Sequence, residues 1–437
     1  MSAIVDISDM GNILGFIKNS LSSIDLTVEI NSRIVTEVIS KLAVAAHIEN
    51  NVNVRDEALN LLKEINEYIM RSGSEYSKVY SAVMLANALI HIGDLDGAKE
   101  VISSVKELTE SLDGLSGVTA IADVAEAMIR CGLVDEGRKL LFKSEALAKG
   151  LDDLEEQVLG LSYVSLVASL TRDLVLASRA LKEALRSAKA LGKSLSGRLV
   201  EELSNAVAEL SRAGAVDEAA NIGSDLISLV SSFADMEHYL PVLEALGSAN
   251  LIEKRRIKEV LDALLANINE TLPKDTGSPT FEISMKLFHY VTIARVAAKV
   301  GLINYSLQLL SPLKEIVKDM DVVTEGSEAL STMIIPIIPH LPVIAEVLGN
   351  QGMLNEAREV LETALKVANK ASTESYIAKV IGPEVIEASK GLTYIGVIRA
   401  AGKLGLNELA NETLSKIGEV GVALMAFSSL LTAKYGL

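Results

Sequence analysis

The chain has 437 residues, 49% of them hydrophobic and only 4% aromatic, with no Trp and a single Cys. That apolar fraction excludes a disordered chain, and its make-up of Leu, Ile, Val and Ala suits closely packed helices better than sheets. The net charge of −17 disfavours nucleic acid as a direct ligand, because acidic surfaces repel phosphate, and favours partners of basic character.

The charge is unevenly placed. Residues 272–437 hold 15 Lys and Arg against 17 Asp and Glu, and residues 1–271 hold 26 against 41. Cys131 has no partner for an intramolecular disulfide, which points to a reducing, cytoplasmic setting. The opening stretch MSAIVDISDMGNILGF lacks a basic segment and does not read as a secretory signal. The most apolar window, Ser331 to Gly349, contains Pro336, Pro339, His340, Pro342 and Glu346, a poor membrane span. No membrane association is expected. Gln occurs only at 157, 308 and 351, a scarcity that fits a thermophilic source.

One pattern recurs in chain order: a helix-length apolar stretch, a Gly or Asn turn, then a second helix opening on a small residue. The first copy, NNVNVRDEALN, places Asn53 at the turn and Ala58 at the small position. Clearer copies follow in HIGDLDGAKEVI with Gly93 and Ala98, and in RCGLVDEGRKLL with Gly132 and Gly137. SLTRDLVLASRA places Arg172 and Ala177 there, RAGAVDEAANIG places Gly214 and Ala219, and SANLIEKRRI is a further candidate at Asn250. The last three are KVGLINYSLQLL with Gly301 and Ser306, NQGMLNEAREVL with Gly352 and Ala357, and KLGLNELANETL with Gly405 and Ala410. Gly or Asn tolerates the left-handed backbone that ends a helix, and a small residue lets the next helix cross closely. Leu95, Ala98, Val101, Ile102, Val105, Leu108 and Leu112 share one face at the helical period. No segment alternates long enough to make a strand, so the fold class is all-α.

The segment Ala345 to Ala368 resembles the tetratricopeptide repeat, with Gly352 as turn glycine, Ala357 opening the second helix and Ala364 as the later alanine. Ala86, Gly93 and Ala98 repeat part of that pattern. The resemblance covers roughly residues 26–417 and implies an αα-hairpin solenoid of about nine helix pairs, a right-handed superhelix whose first helices line a concave surface. The departures are the spacing of the turn glycines, 39 from 93 to 132 but 51 from 301 to 352, against a family period of about 34. The family's early Trp and Tyr and its closing Pro are also missing, so HEAT-like or other solenoid geometry stays open.

Two arrays are expected, an acidic one over 1–271 and one with longer repeats and a capping helix over 272–437, divided near TLPKDTGSPTF (271–281). Pro336 to Pro342 should break the first helix of a repeat. The apolar tail GEVGVALMAFSSLLTAKYG reads as a capping helix or a partner interface.

No catalytic, cofactor or metal residue is expected. The five His form neither HExxH nor a zinc spacing with Cys. Gly192-Lys193-Ser194 lacks the earlier glycine of a phosphate loop, and GDLDG at 93–97 lacks the remaining calcium ligands; both read as helix turns. Lys254, Arg255, Arg256 and Lys258 read as a solvated helix face beside Glu253 and Glu259.

The candidate partner-binding residues lie on first helices. Six before each turn stand Asn87, Glu126, Ala208, Arg295, Glu346 and Arg399, and four before those there is no Lys or Arg, so the family's clamp for a C-terminal carboxylate is not expected. Asn87, Glu126, Arg295 and Arg399, with Tyr80, Tyr163, Tyr239 and Tyr290 as anchors, form the candidate set. Three functional readings follow, in descending order. They are a non-enzymatic scaffold that holds a protein or peptide in a concave groove, a subunit of a ribonucleoprotein or ribosome-associated assembly, and an enzyme on a helical toroid.

Overall fold

The computed structural model describes residues 6–231, 236–272, 279–319 and 325–437, all of their regular structure helical. A short helix α1 (Met10–Leu21) precedes α2 (Glu29–Ile48), α3 (Val52–Ser72), α4 (Glu75–Ile92), α5 (Leu95–Ser104), α6 (Gly114–Arg130) and α7 (Val134–Lys149). Then come α8 (Leu154–Leu170), α9 (Leu174–Leu191), α10 (Gly197–Arg212), α11 (Val216–Val230), α12 (Met236–Ser248) and α13 (Lys254–Thr271). The remainder is α14 (Pro279–Lys299), α15 (Ile303–Asp319), α16 (Glu325–Ile334), α17 (Leu341–Asn350), α18 (Leu354–Lys370), α19 (Tyr376–Ile381), α20 (Pro383–Lys403), α21 (Asn407–Leu414) and α22 (Val420–Tyr435).

The repeat is visible in one hydrogen bond. Gly93 takes up a left-handed conformation, and the N–H of the next residue, Asp94, donates to the carbonyl of Leu89 at 2.9 Å. The same bond to the fifth residue back recurs from Leu133, Asp173, Ala215, Leu251, Leu302, Met353 and Leu406, and also from Asn51. These are Schellman-type helix ends, which satisfy carbonyls that the helix leaves unpaired. Arg172 and Asn250 stand with φ of 63° and 55° at their turns, as the sequence pattern expects. The first turn differs: the left-handed residue is Asn50, not Asn53, and Asn51 then caps α3 by accepting from the Val54 N–H. Asn53 is left inside the helix.

Every small residue of the pattern is buried, Ala58, Ala98, Ala177, Ala219, Ser306, Ala357 and Ala410 all at 0% exposure. At Gly137 a Cβ would stand 2.6 Å from Ile129 Cγ1 and 2.7 Å from the Ala125 carbonyl, so the helix crossing there requires glycine. The helix after Gly93 is shorter than its apolar face suggests. It stops at Ser104, whose hydroxyl donates back to the Val101 carbonyl at 2.7 Å, and Glu107–Glu110 continue as a 3₁₀ turn.

Two compact units divide the chain, Ser20–Glu253 and a second made of Met1–Asn19 with Lys254–Leu437. The expected dividing segment falls largely on 273–278, outside the described residues. In the first unit α2, α4, α6, α8, α10 and α12 pack each on the next, and α3, α5, α7, α9 and α11 pack across them. This explains the two kinds of helix. First helices such as α4 bury Val79, Ala82, Val83, Leu85, Ala86, Ala88 and Leu89 on several sides, having neighbours on several sides. Second helices such as α9 bury one stripe, Leu176, Ala177, Ala180, Leu181, Ala184, Leu185 and Ala188, and leave the opposite face to solvent.

In the second unit the expected break is present. A 3₁₀ segment, Ile335–His340, separates α16 from α17. The run Ser327–Asn350 is, among the described residues, the one long and apolar enough to cross a membrane by length and composition, and just over half of its window is buried. The apolar tail forms α22, packed on α20. Phe427 is fully buried there and meets Phe16 of α1 edge to face at 5.4 Å. The Ile7 N–H donates to Asn411 Oδ1 at 2.9 Å, which ties the N-terminal segment to α21. Part of the apolar surface read as a partner interface is therefore covered by the chain's own N-terminal segment.

Candidate functional site

Four successive first helices of the first unit contribute to one polar hollow of about 560 Å³. Arg33 comes from α2, and Tyr76, Tyr80 and Asn87 from α4. Thr119, Asp123 and Glu126 come from α6, and Tyr163 from α8. The spacings explain the convergence. Positions 76, 80 and 87 lie one and then about two turns apart on α4, and 119, 123 and 126 follow one another at about one turn each on α6.

The Arg33 guanidinium lies over two tyrosine rings, 5.6 Å from the centroid of Tyr76 and 4.9 Å from that of Tyr80. The two rings are stacked on one another at 6.5 Å. Tyr80 donates to Glu37 Oε2 at 3.4 Å, and Glu37 is paired with Lys41 at 2.6 Å. Deeper in the hollow, Tyr163 donates to Asp123 Oδ1 at 2.5 Å.

Burial dominates the electrostatics. It pushes the Asp123 carboxyl up to about 7, with Glu126 adding to the rise while the Tyr163 hydrogen bond and Arg33 oppose it. Glu126 is also raised by burial, with Arg130 opposing. Tyr80 and Tyr163 are both raised, by burial first and by the neighbouring carboxylates second, so they stay protonated donors. Arg130 lies 3.5 Å from Glu126 and 2.9 Å from the Nε2 of His91. Burial and then Arg130 lower His91, so the last-turn histidine of α4 works as a neutral hydrogen-bond partner.

Among the candidate residues, Tyr80, Asn87, Glu126 and Tyr163 meet in this hollow. The other four lie elsewhere. Tyr239 on α12 donates to Ser231 Oγ at 2.8 Å. In the second unit, Tyr290 has Lys286 over its ring at 5.3 Å, and Arg295 Nη1 stands 3.4 Å from His340 Nδ1. Burial, then Arg295 and Lys299, hold that histidine down at about 4. Arg399 is paired with Glu346 at 3.0 Å, and Lys403 reaches the same carboxylate at 2.6 Å.

Arg33, Tyr76 and Asp123 were missed by the sequence reading. For Asp123 a signal was available: an acidic residue inside the apolar run AIADVAEAM, one turn before Glu126. The basic cluster at 254–258 opens α13, where Arg255 pairs with Glu259 at 3.0 Å and Lys258 with Asp262 at 2.7 Å. Gly192–Ser194 is a 3₁₀ turn between α9 and α10.

A second hollow, of about 360 Å³, lies in the second unit beside Tyr394, Leu392, Ile417 and Met425 and is mainly apolar. Among the described residues, no three or more His, Cys, Asp or Glu are grouped to hold a metal ion.

No protein-family model matches the sequence, nor does any curated protein. Among solved structures, the chain is similar to Ton1535 from Thermococcus onnurineus NA1 at 12% identity, covering 89% of this chain and 97% of that one with a TM-score of 0.37. It is also similar to a circular tandem repeat protein with novel repeat topology and enhanced subunit contact surfaces, at 14% identity, covering 92% and 96% with a TM-score of 0.27. Similarity at that level transfers no function. The chain is an all-helical protein of repeat-like build, as its own recurring turns show.

Proposed function

We propose that the protein is a non-enzymatic cytoplasmic scaffold of tetratricopeptide-like build, whose first helices line a groove that holds a segment of a basic partner protein. The observation that carries this reading is the hollow shared by α2, α4, α6 and α8, where tyrosine rings and two recessed carboxyls face one space. Its volume falls within the range of ligand-binding clefts, roughly 300–1,000 Å³. Tyr is a rigid anchor for a bound segment, and the surplus of acidic residues before residue 271 complements a basic one. The basic cluster that would serve an RNA-binding reading is instead partly spent on acidic neighbours one turn away.

The test is site-specific photo-crosslinking in the native host. A crosslinker at Ser116, on the exposed rim of the hollow, should capture one or two basic proteins that resist nuclease treatment. The same crosslinker at Lys182, an exposed position on the second helix α9, should not capture them. Capture of RNA, or of ribosomal proteins that vanish with nuclease, would overturn the scaffold reading in favour of a ribonucleoprotein subunit.

A further inference from the structure

We propose that the hollow is a socket for a single guanidinium group, the side chain of an arginine presented by the bound segment. The proposal rests on the scaffold reading above and narrows it to one chemical group.

The polar atoms of the hollow are out of balance. Asp123 accepts one hydrogen bond, from Tyr163, on Oδ1 and none on Oδ2 among the described residues. Glu126 is held on Oε1 alone, by Arg130 at 3.5 Å. Asn87 Oδ1 is buried without any partner. Three acceptors on two adjacent helices therefore face the space with no donor supplied from within. A buried acceptor without a partner is costly, as Asn87 Oδ1 is here, so a ligand bringing several donors satisfies it together with the open oxygens of the two carboxyls. Guanidinium carries five N–H donors in a fixed plane and is only weakly hydrated.

The walls fit a planar cation as well. The Arg33 guanidinium already lies over Tyr76 and Tyr80, so the hollow's aromatic side accommodates this group. Arg33 leaves the three acceptors unmet. An ammonium group offers fewer donors, without the plane that lets one group span two carboxyls. An anion would face Asp123 and Glu126 directly.

The test uses the full chain with ¹³C-labelled tyrosine and three short probes, acetyl-Gly-Arg-Gly-amide and its citrulline and lysine counterparts. The arginine probe should shift the ring resonances of Tyr80 and Tyr163 saturably, and citrulline, neutral and nearly the same shape, should bind at least about tenfold more weakly. Asp123→Asn keeps the shape and an acceptor for Tyr163 but removes the charge, and should weaken the arginine probe by about tenfold. Glu126→Gln serves as an independent second variant, and a single cooperative melting transition no lower than that of the parent protein shows for either that the fold is intact. Equal binding of citrulline or lysine, or tyrosine rings indifferent to all three probes, overturns the socket. If the rings stay silent while the Ser116 crosslinker still captures a basic protein, the scaffold reading stands and the socket alone falls.

Discussion

Tyr163 on α8 donates its phenolic hydrogen to Asp123 on α6 at 2.5 Å, joining two neighbouring first helices across the deep side of the hollow. The contact places a carboxyl raised to about 7 beside a phenol that stays protonated, both chiefly because burial penalises their charged forms. The pair repeats across 40 residues what the Gly turns repeat along the chain, a side chain in equivalent register meeting its neighbour in the next hairpin.

A pH-dependent stability follows from Asp123. Its folded carboxyl binds its proton more tightly than the unfolded one, so its contribution is fully present below pH 4. It is lost as pH rises from about 4 to about 7. The groups facing it are Arg33 on α2, Tyr76 and Tyr80 on α4, Glu126 on α6 and Tyr163 on α8. Asp123→Asn should raise Tm by about 2 °C at pH 8 and leave it nearly unchanged at pH 4. Thermal melts of the two proteins at both pH values check this, and an equal shift at both would refute it.

Tyr163→Phe removes the hydrogen bond that opposes the rise at Asp123, so the carboxyl should titrate above its wild-type midpoint of about 7. The variant should also lose about 1 kcal/mol of stability. A ¹³C titration of labelled Asp carboxyls measures the first effect and denaturant unfolding the second.

Gly137 and Gly15 make a matched pair. Gly137→Ala drives a methyl into Ile129 and the Ala125 carbonyl and should cost about 1–3 kcal/mol. Gly15, within α1, has nothing within 4 Å of the added Cβ, so Gly15→Ala should stabilise by about 0.5–1 kcal/mol. Both are read by chemical denaturation, and opposite signs are the expected result.

Glu145 is 6% exposed and holds Arg179 at 2.5 Å and Lys149 at 2.7 Å. Burial raises its carboxyl, but the hydrogen bonds from Arg179 and Lys149 outweigh this and leave it lowered. The stabilisation is therefore present above the unfolded pKa, near 4.3, and disappears as pH falls through the folded value. Arg179→Ala leaves the buried carboxylate with Lys149 alone and should cost about 2 kcal/mol at pH 7, and much less at pH 3. Equal costs at the two pH values would show that lost packing against Phe142, rather than charge, is responsible.

Removing residues 1–19 should uncover Phe427 and destabilise the unit that contains it. Phe427→Ala alone should cost about 3–5 kcal/mol, and the truncation should make most of that cost redundant. Hydrogen exchange over 420–435 reads both effects in the full chain and its variants.

Much of the fold was legible because helix ends are local events. A left-handed residue, a small residue five positions on and a helical apolar stripe each leave marks within a dozen residues, and Gly93 with Ala98 shows all three. The first turn was misplaced because Asn50, Asn51 and Asn53 all suit a turn, and it is the Asn51 cap that places the left-handed residue at Asn50. The site was legible only in part. Tyr80, Asn87, Glu126 and Tyr163 could be put on first helices by register, but Tyr239, Tyr290, Arg295 and Arg399 satisfied much the same register and lie elsewhere.

What the sequence determined by itself is the all-helical class, the recurring hairpin and the residues at its turns, since these depend on backbone conformation and on spacing within a single element. Tertiary structure alone decided that Arg33, Asp123 and Tyr163, up to 130 positions apart, face one hollow, and that α1 covers Phe427. Those outcomes depend on which helix faces which neighbour, and the desolvation that lifts Asp123 toward neutrality exists only once four helices have closed around it.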